Sequence, residues 1–477
     1  MSNVAHCDLL VIGAGPAGLA AATQAANLGV DTVLLDEQPA PGGQIYRAVT
    51  STPVQDRSIL GPDYWHGHGL LKPFEQSGAR YLPRSTVWAL NRTEPDRFEV
   101  AFSIDGQAQL IQPRHVLLAT GAQERPFPIP GWTLPGVITA GAAQILLKAS
   151  GVVPTGRTVL AGSGPLLYLI AWQYLNAGVP IEAILETTPR GRWRKALPHV
   201  WGFLRSPYLA KGMKLLRAVQ AGVPIIRGVS ELEALGARQV EQVRFTAAGK
   251  EQVLPVDQLL LHQGVVPNVN LARALGVEHL WRDRQACWEP RVDAWGATSI
   301  AHVGIAGDGA GIAGAMAAEH RGRLAALHAA WALGKIDQAR RDREAGSPRT
   351  ALARAVRGRE FFETLYRPPV QISRPVGATI VCRCEEVTAA QVRETARMGC
   401  PGPNQMKAFL RCGMGPCQGR LCGLTVAELI AEEAGRPPQD VGYYRLRFPT
   451  KPLPLGELAT LPQTQDSMDA VVRFKKS

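Results

Sequence analysis

The sequence predicts an α/β protein in which one doubly wound domain is nested inside another, followed by a small helical domain gathered around cysteines. Two strand–glycine-turn–helix units predict the first part, and the crowding of six of the eight cysteines into residues 382–422 predicts the second. A chain of 477 residues implies two to four domains with full-sized cores. Its 46% hydrophobic and 19% charged residues are ordinary for a globular protein and exclude a disordered one. The formal charge of +12 admits an anionic partner, but the arginines are dispersed apart from RGRWRK at 190–195 and a run from Arg340 to Arg359. A solvated or partner-facing surface is therefore expected, and nucleic acid is not. The opening MSNVAHCDLLVIGAG has no leader pattern, and no stretch supplies the roughly 18 apolar residues of a membrane span. The chain is expected to be cytoplasmic with no transmembrane segment, and at most peripheral to the inner face of a membrane.

The first unit is DLLVIGAGPAG at 8–18, an apolar strand entering Gly13-x-Gly15-x-x-Gly18, followed by the small-residue helix LAAATQAANLG. The first glycine permits the tight turn, the second lets a pyrophosphate approach the backbone at the helix start, and the third lets helix pack on strand. The next strand, DTVLLDE, delivers Asp36 and Glu37 about twenty residues on, where a carboxylate holds ribose hydroxyls. This is a Rossmann-like fingerprint with its strand, helix and acidic end all present.

Three later segments resemble further parts of one FAD site in flavoproteins of the glutathione-reductase class. PGGQIYR at 41–47 brings Gly43 and Gln44 beneath the pyrophosphate. HVLLATGAQERPFPIPGW at 115–132 is a strand ending in Thr120 and Gly121, where such chains return toward the cofactor. SIAHVGIAGDGAGIAGAMAAEH is a strand, then Gly307 and Asp308, then a helix beginning near Ala315; the aspartate is similar to the one that bonds the ribityl chain. Val87 is assigned to the same cofactor by the resemblance. Glu124 and Gln44 have a surface reading as well as a cofactor one.

Between these lies RTVLAGSGPLLYLIAWQYLNAGV, the second unit, with Gly162, Gly164 and, after the next strand, Glu186. Leu167 occupies the third glycine position, where it is expected to push helix from strand or to fill the pocket. A second adenine nucleotide, NAD(P) or ATP/ADP, and an empty structural domain both stay open here. No cysteine stands between Cys7 and Cys287, which excludes the redox-active pair of disulfide reductases. Trp65, His66 and His68 in DYWHGHG invite a metal, yet two histidines without a third ligand read better as loop residues. His262 in LLLHQGVVPN reads as a packed histidine.

The cysteines fall as Cys382-x-Cys384 in VCRCEEVT and Cys417-x4-Cys422 in CGMGPCQGRLCG. Four thiolates in two close pairs can enclose zinc or a two-iron two-sulfur cluster, and spacing does not choose between them. Glycines around the second pair free backbone N–H groups to bond cluster sulfides, and a flavin domain alongside favours a one-electron carrier. Cys412 can substitute as a ligand, and Cys400 reads as a buried thiol.

Residues 380–430 resemble the bacterioferritin-associated-ferredoxin-like (BFD-like) [2Fe-2S] domain. With GAGPAGLAAA, PGGQIYR, ATGAQERPFPIPGW, AGSGPLL and AGDGAGIAGA, they make the whole chain similar to the alpha subunits of heteromeric dye-linked amine dehydrogenases. These are the opine oxidases and D-hydroxyproline dehydrogenase, with the hydrogen cyanide synthase flavoprotein subunit, heteromeric proline dehydrogenase and sarcosine oxidase as more distant relatives. The resemblance implies Cys382, Cys384, Cys417 and Cys422 as [2Fe-2S] ligands and FAD as the second cofactor. It implies a partner beta subunit of the glycine-oxidase type with its own FAD, a small ferredoxin-like gamma subunit in some complexes, and a quinone or electron-carrier acceptor. It also implies that the substrate is oxidised in the partner, and no catalytic residue is assigned in this chain.

The expected boundaries are a first FAD-binding part at 1–151, a nucleotide-binding-like domain at 152–255, a second FAD-binding part at 256–345, a linker at 346–375, the BFD-like domain at 376–436 and an extended, proline-rich tail at 437–477. The function expected is electron transfer in a complex that oxidises a carbon–nitrogen bond of an opine or of D-hydroxyproline. The alternatives are a stand-alone NAD(P)H-dependent flavin reductase, the flavoprotein of a hydrogen cyanide synthase, and a cofactor-binding scaffold.

Overall fold

The computed structural model describes residues 5–462. The strand Ala5–Ile12 lies between Thr32–Leu35 and Gln107–Leu118, parallel to both, with Leu9 opposite Thr32 and His115. Arg80–Leu82 extends the sheet beyond Thr32–Leu35. Leu9, Leu10 and Val11 are wholly buried, because helices or further strands cover both faces and leave no polar side to the strand. Gln107–Leu118 serves two neighbours along its other edge. Its first residues pair antiparallel with Arg97–Ile104, and its last three pair parallel with Val303–Ile305.

The second α/β body repeats this plan with five parallel strands in the order Ile225–Arg227, Ala183–Glu186, Thr158–Gly162, Gln258–His262 and Val137–Thr139. It interrupts the first body between the strands Gln107–Leu118 and Val303–Ile305. A two-stranded ribbon, Ala122–Glu124 against Val265–Pro267, carries the chain out and back, with Val265 opposite Glu124.

Two helices fix the site end of the first body. Pro16–Asn27 starts with proline at its first turn, where the missing N–H costs nothing. Gly18 on it approaches the Gly13 carbonyl so closely that an added Cβ would sit 1.8 Å from that oxygen. The helix Ala315–Ala332 crosses it with Gly322 against the Ala17 carbonyl, where a Cβ would lie 2.1 Å away. Backbone therefore packs on backbone, and the two glycine turns that precede these helices are drawn together.

The segment read as a linker is helical, at Gly346–Val356, Arg359–Leu365 and Val370–Ser373. Part of the arginine run is spent inside the protein. Arg341 lies 4.3 Å from the Trp295 ring centre and 4.5 Å from that of Trp331, and Arg349 lies 4.3 Å from Trp295. Alanine-rich TALARAV sustains a helix; Arg341 is buried, whereas Arg349 covers the Trp295 ring from the exposed side.

The last unit is a short hairpin, Ile380–Cys382 with Val387–Thr388, and three helices, Ala389–Arg397, Pro403–Leu410 and Gly423–Glu433. Thr388 and Gln391 form a reciprocal cap on the first helix, and Val392, Met406, Val426, Leu429 and Ile430 make the core. Beyond it the chain runs over the first body. Thr450 N–H donates to the Trp88 carbonyl at 2.9 Å, and Thr460 Oγ1 accepts from Ala108 N–H at 2.7 Å. Residues 463–477 of the tail lie outside the described residues.

The Gly322→Ala variant is expected to unfold at lower temperature, losing about 1–3 kcal/mol through overpacking against the Ala17 carbonyl. It should also retain less flavin after purification; calorimetry and visible absorbance read the two effects.

Candidate functional site

The carboxyl ends of Ala5–Ile12, Thr32–Leu35, Gln107–Leu118 and Val303–Ile305 converge, as ligand sites of doubly wound sheets do. They bring together Gly13, Gly15, Asp36, Thr120, Gly121, Gly307 and Asp308. Gly43 joins them from its loop: a Cβ on Gly43 would lie 2.7 Å from Gly15 Cα. Asp36 accepts from Ala14 N–H at 2.5 Å through one oxygen and from Gln38 N–H at 2.7 Å through the other. Burial raises its pKa, against these donors. The carboxylate thus already braces the glycine turn and keeps lone pairs for a ribose. Glu37 instead points outward and pairs with Lys451 of the tail.

Asp308 Oδ1 accepts from Ala313 N–H at 2.8 Å and Gly314 N–H at 2.9 Å, which closes the loop that starts the helix at Ala315. Its other oxygen has no partner among the described residues. Arg321 reaches back along the same helix to the carbonyls of Gly307, at 3.2 Å, and Gly311, at 2.5 Å. Val87 is a buried strand residue opposite Phe102. Gln44 is exposed and its side chain accepts from Arg47 at 3.1 Å. Arg47 Nε is buried without a partner. An unpaired guanidinium N–H beside a turn of bare glycines fits a pyrophosphate, so these residues suit FAD.

Lys148 was not singled out by the sequence, yet it holds this site to the second body. It is wholly buried in the helix Ala140–Ser150 and donates to the carbonyls of Gln44 at 3.3 Å and Ile45 at 3.0 Å, and to Gln144 Oε1 at 2.9 Å. Burial, with Arg47 adding to it, pulls its pKa down to about 7.

In the second body, Gly162 and Gly164 form the corresponding turn, with φ of 141° and 104°. A Cβ on Gly162 would lie 1.7 Å from the His262 carbonyl. Leu167 is wholly buried within the main apolar core. Glu186, at the end of its strand, lies 3.6 Å from Arg227. His262 and Glu124, read separately in the sequence, meet at 2.6 Å, and the other oxygen of Glu124 accepts from Gly141 N–H at 2.8 Å. His66 faces Glu319 at 3.4 Å and His68 stacks on Trp65, so this pair of histidines shares no metal position.

The cysteines gather as two groups. Cys412 and Cys422 lie beside Cys382, and their thiols, with the backbone of Glu385 and Gly413, hold its pKa far below the usual thiol range. Cys384 neighbours Cys417. Among the described residues no three His, Cys, Asp or Glu side chains are arranged as a single metal ion requires. Backbone comes close on every side: a Cβ on Gly415 would lie 2.3 Å from Cys384 Cβ, and one on Gly423 would lie 2.2 Å from the Tyr443 hydroxyl. Tyr444 approaches Cys422 Sγ at 3.5 Å through its hydroxyl. Five thiols with two aromatic walls and bare backbone suit a sulfide-bridged cluster. Cys400 is buried apart, its Sγ 3.5 Å from the Gly402 carbonyl.

The cluster loop sits on the wall of the first site. Arg420 O accepts from Gln123 Nε2 at 2.8 Å, and Gln418 O accepts from Asn270 Nδ2 at 3.1 Å. Gln123 is two residues from Gly121, and Asn268 N–H donates to the Gly121 carbonyl at 3.0 Å. Trp132 Nε1 donates to the Ile380 carbonyl at 2.7 Å and ties down the other cysteine segment. A single glutamine in a short strand or asparagine at the start of a short helix carries no pattern, so nothing in the sequence marks these contacts.

Residues 7–334 match the family described as pyridine nucleotide-disulphide oxidoreductase, and residues 376–461 match the sarcosine oxidase A3 domain. The chain is 48% identical to the A subunit of opine oxidase from Rhizobium meliloti over 97% of its own length and 89% of that protein. It is 31% identical to the hydrogen cyanide synthase protein HcnB of Pseudomonas aeruginosa, over 95% of its length and 98% of that protein. Its fold is similar to the crystal structure of L-proline dehydrogenase from P. horikoshii, with a TM-score of 0.70 at 17% identity, covering 96% of this chain and 81% of that one.

Lys148→Met should cost about 1–3 kcal/mol by leaving the Gln44 and Ile45 carbonyls without donors. Between about 7 and the ordinary value of 10.5 the unfolded chain carries the Lys148 proton more fully than the folded one. Wild-type stability should therefore gain an increment as pH rises through that window, and Lys148→Met should lack it; urea titrations at several pH values measure the difference.

Proposed function

Because the chain belongs to the family of opine oxidase A-type flavoproteins, within the pyridine nucleotide-disulphide oxidoreductases, we propose that it is the electron-transfer subunit of a heteromeric amine dehydrogenase. It is a flavin-dependent oxidoreductase component by family, and FAD is its family cofactor. The proposal adds a [2Fe-2S] cluster, a partner and a substrate class. The observation that carries it is the docking of the Cys417–Arg420 loop on Gln123 and Asn270, beside Gly121. A one-electron carrier placed against the wall of a flavin pocket is what onward electron transfer needs.

In this reading Asp36 holds the ribose, the Gly13–Gly18 turn with Gly43 and Arg47 holds the pyrophosphate, and Thr120, Gly121, Gly307, Asp308 and Ala315 line the ribityl and ring end. Cys382, Cys384, Cys417 and Cys422 ligate the cluster, and Cys412 lies against Cys382 as a spare thiol. FAD, when bound, supplies two-electron acceptance, and the cluster supplies one-electron carriage. Tyr444 and the surrounding backbone bury Cys382, Cys412 and Cys422, whereas Cys384 and Cys417 stay half-buried.

The amine donor is an opine such as nopaline or octopine, or D-hydroxyproline. Its carbon–nitrogen bond is oxidised in a partner beta subunit of the glycine-oxidase type, with loss of two electrons and two protons. The imine hydrolyses to a keto acid and an amine, or stays cyclic for a proline derivative. Electrons leave this chain for a quinone or dye, through a small ferredoxin-like protein where one is present. The chain acts in the cytoplasm, at the inner face of the membrane. No described helix is long and apolar enough to cross a membrane.

A second reading, NAD(P)H-dependent flavin reduction, draws support from the second glycine turn. Leu167 lies in the core, and the nearness of Glu186 to Arg227 counts against a free ribose carboxylate.

Cys384→Ser and Cys417→Ser should each abolish visible absorption and the electron-paramagnetic signal of a reduced [2Fe-2S] cluster, while Cys400→Ser keeps both. In the complex purified with its partner, nopaline, octopine or D-hydroxyproline should bleach the flavin, and the isolated chain should give no bleaching with these amines. Bleaching of the isolated chain by NADH would favour the second reading.

A further inference from the structure

The chain from Arg192 to Leu204 is nearly continuous helix, Arg192–Ala196 and Val200–Leu204 joined by a tighter turn at Leu197–His199. It has apolar residues on two opposite sides. Ala196, Val200 and Phe203 face inward, and Phe203 stacks on Phe361 with ring centres 4.6 Å apart. Trp193, Leu197, Trp201 and Leu204, spaced by four, four and three residues, face outward and are 54%, 47%, 69% and 45% exposed. The inward side is enough to hold the segment on the protein. A second stripe containing two indoles, left in water, marks an interaction surface. Met213 on the next helix, Tyr208–Gly222, is 44% exposed as well.

The charge around this stripe is one-sided. From Thr187 to Gly228 there are nine arginines and lysines and no aspartate or glutamate, in a chain whose whole net charge is +12. Lys211, Arg227 and His199 find acids on other elements, Asp63, Glu186 and Glu360. Arg194, Lys195, Arg205, Lys214 and Arg217 make no ion pair among the described residues, and all five side chains are exposed. Protein interfaces are depleted of charge at their centres and of lysine throughout. Here cations flank the apolar stripe, with Arg194 and Lys195 beside Trp193, Arg205 at the end of the segment and Lys214 and Arg217 on the next helix, as in surfaces that lie in the plane of a bilayer with indoles at the headgroup level.

We infer that the Arg192–Arg217 surface docks on an anionic lipid bilayer, with Trp193, Leu197, Trp201 and Leu204 entering the headgroup boundary and the five free cations meeting lipid phosphates. This rests on the peripheral placement proposed above and gives it a surface. Its readout is vesicle binding, whereas the electron-transfer reading is tested by flavin and cluster spectra, so either can fail alone.

The experiment is cosedimentation of the full chain with phosphatidylglycerol–phosphatidylcholine vesicles and with phosphatidylcholine vesicles. Binding should require phosphatidylglycerol and weaken with salt. Trp193→Ala/Trp201→Ala should weaken it about tenfold, and Arg194→Gln/Lys195→Gln about fivefold per charge. Thermal midpoint and flavin content should not change in either variant, because none of the four side chains is buried. Equal binding to both vesicle types, or unchanged binding in both variants, would overturn the inference. So would variants that keep vesicle binding but lose a co-purifying partner protein, which would make the stripe a protein interface.

Discussion

The contact of Gly322 with the Ala17 carbonyl is the constraint on which the first site depends. Two helices can cross at backbone distance only where one offers no side chain, and that crossing ties the turn at Gly13 to the turn at Gly307. The first turn presents N–H groups and the second presents Asp308 and the start of the long helix. Separately each is an ordinary strand-to-helix connection. Held together, with Gly43 against Gly15, they set bare backbone along one end of the sheet.

An apolar core shared by both bodies joins them, and buried polar contacts add to it in setting the other units against this end of the sheet. Lys148 reaches across from the second body to two carbonyls of the loop that carries Gly43, and it does so from full burial. The His262–Glu124 pair bridges the inserted sheet and the ribbon that leads into it, and Gly141 N–H completes the bonding of that carboxylate. Gln123 and Asn270 fix the cysteine loop. Such buried bonds are costly to leave unmade, so they specify one docking geometry more sharply than an apolar contact of similar size.

Much of the architecture was legible in the sequence, because glycine spacing, apolar strands and a cysteine cluster are local signals. The nested order of the two glycine units and the gathering of six cysteines in one unit both follow from them. Other readings stayed local when the determining contacts were not. Glu37 looked equivalent to Asp36, but only Asp36 turns toward the glycine loop, since successive strand residues face opposite sides. The arginine run looked like a solvated or partner-facing surface, but the fold places Arg341 between Trp295 and Trp331, nearly fifty residues away in one case. Leu167 stood out only as a missing glycine, and the structure buries it wholly in the apolar core.

The sequence by itself determined the kinds of chemistry available: a phosphate-binding turn, a ribose carboxylate, thiols in pairs and an acid-free basic segment with two tryptophans. These are properties of residue type and short spacing, which a chain carries before it folds. Only the tertiary structure decided which of them work together. It set the cysteine loop beside Gly121, joined Glu124 to His262 across 138 residues of chain, and turned Trp193 and Trp201 outward while Phe203 packed inward. The reason is that such juxtapositions come from the packing of whole elements, where the position of one side chain depends on residues far away in the sequence.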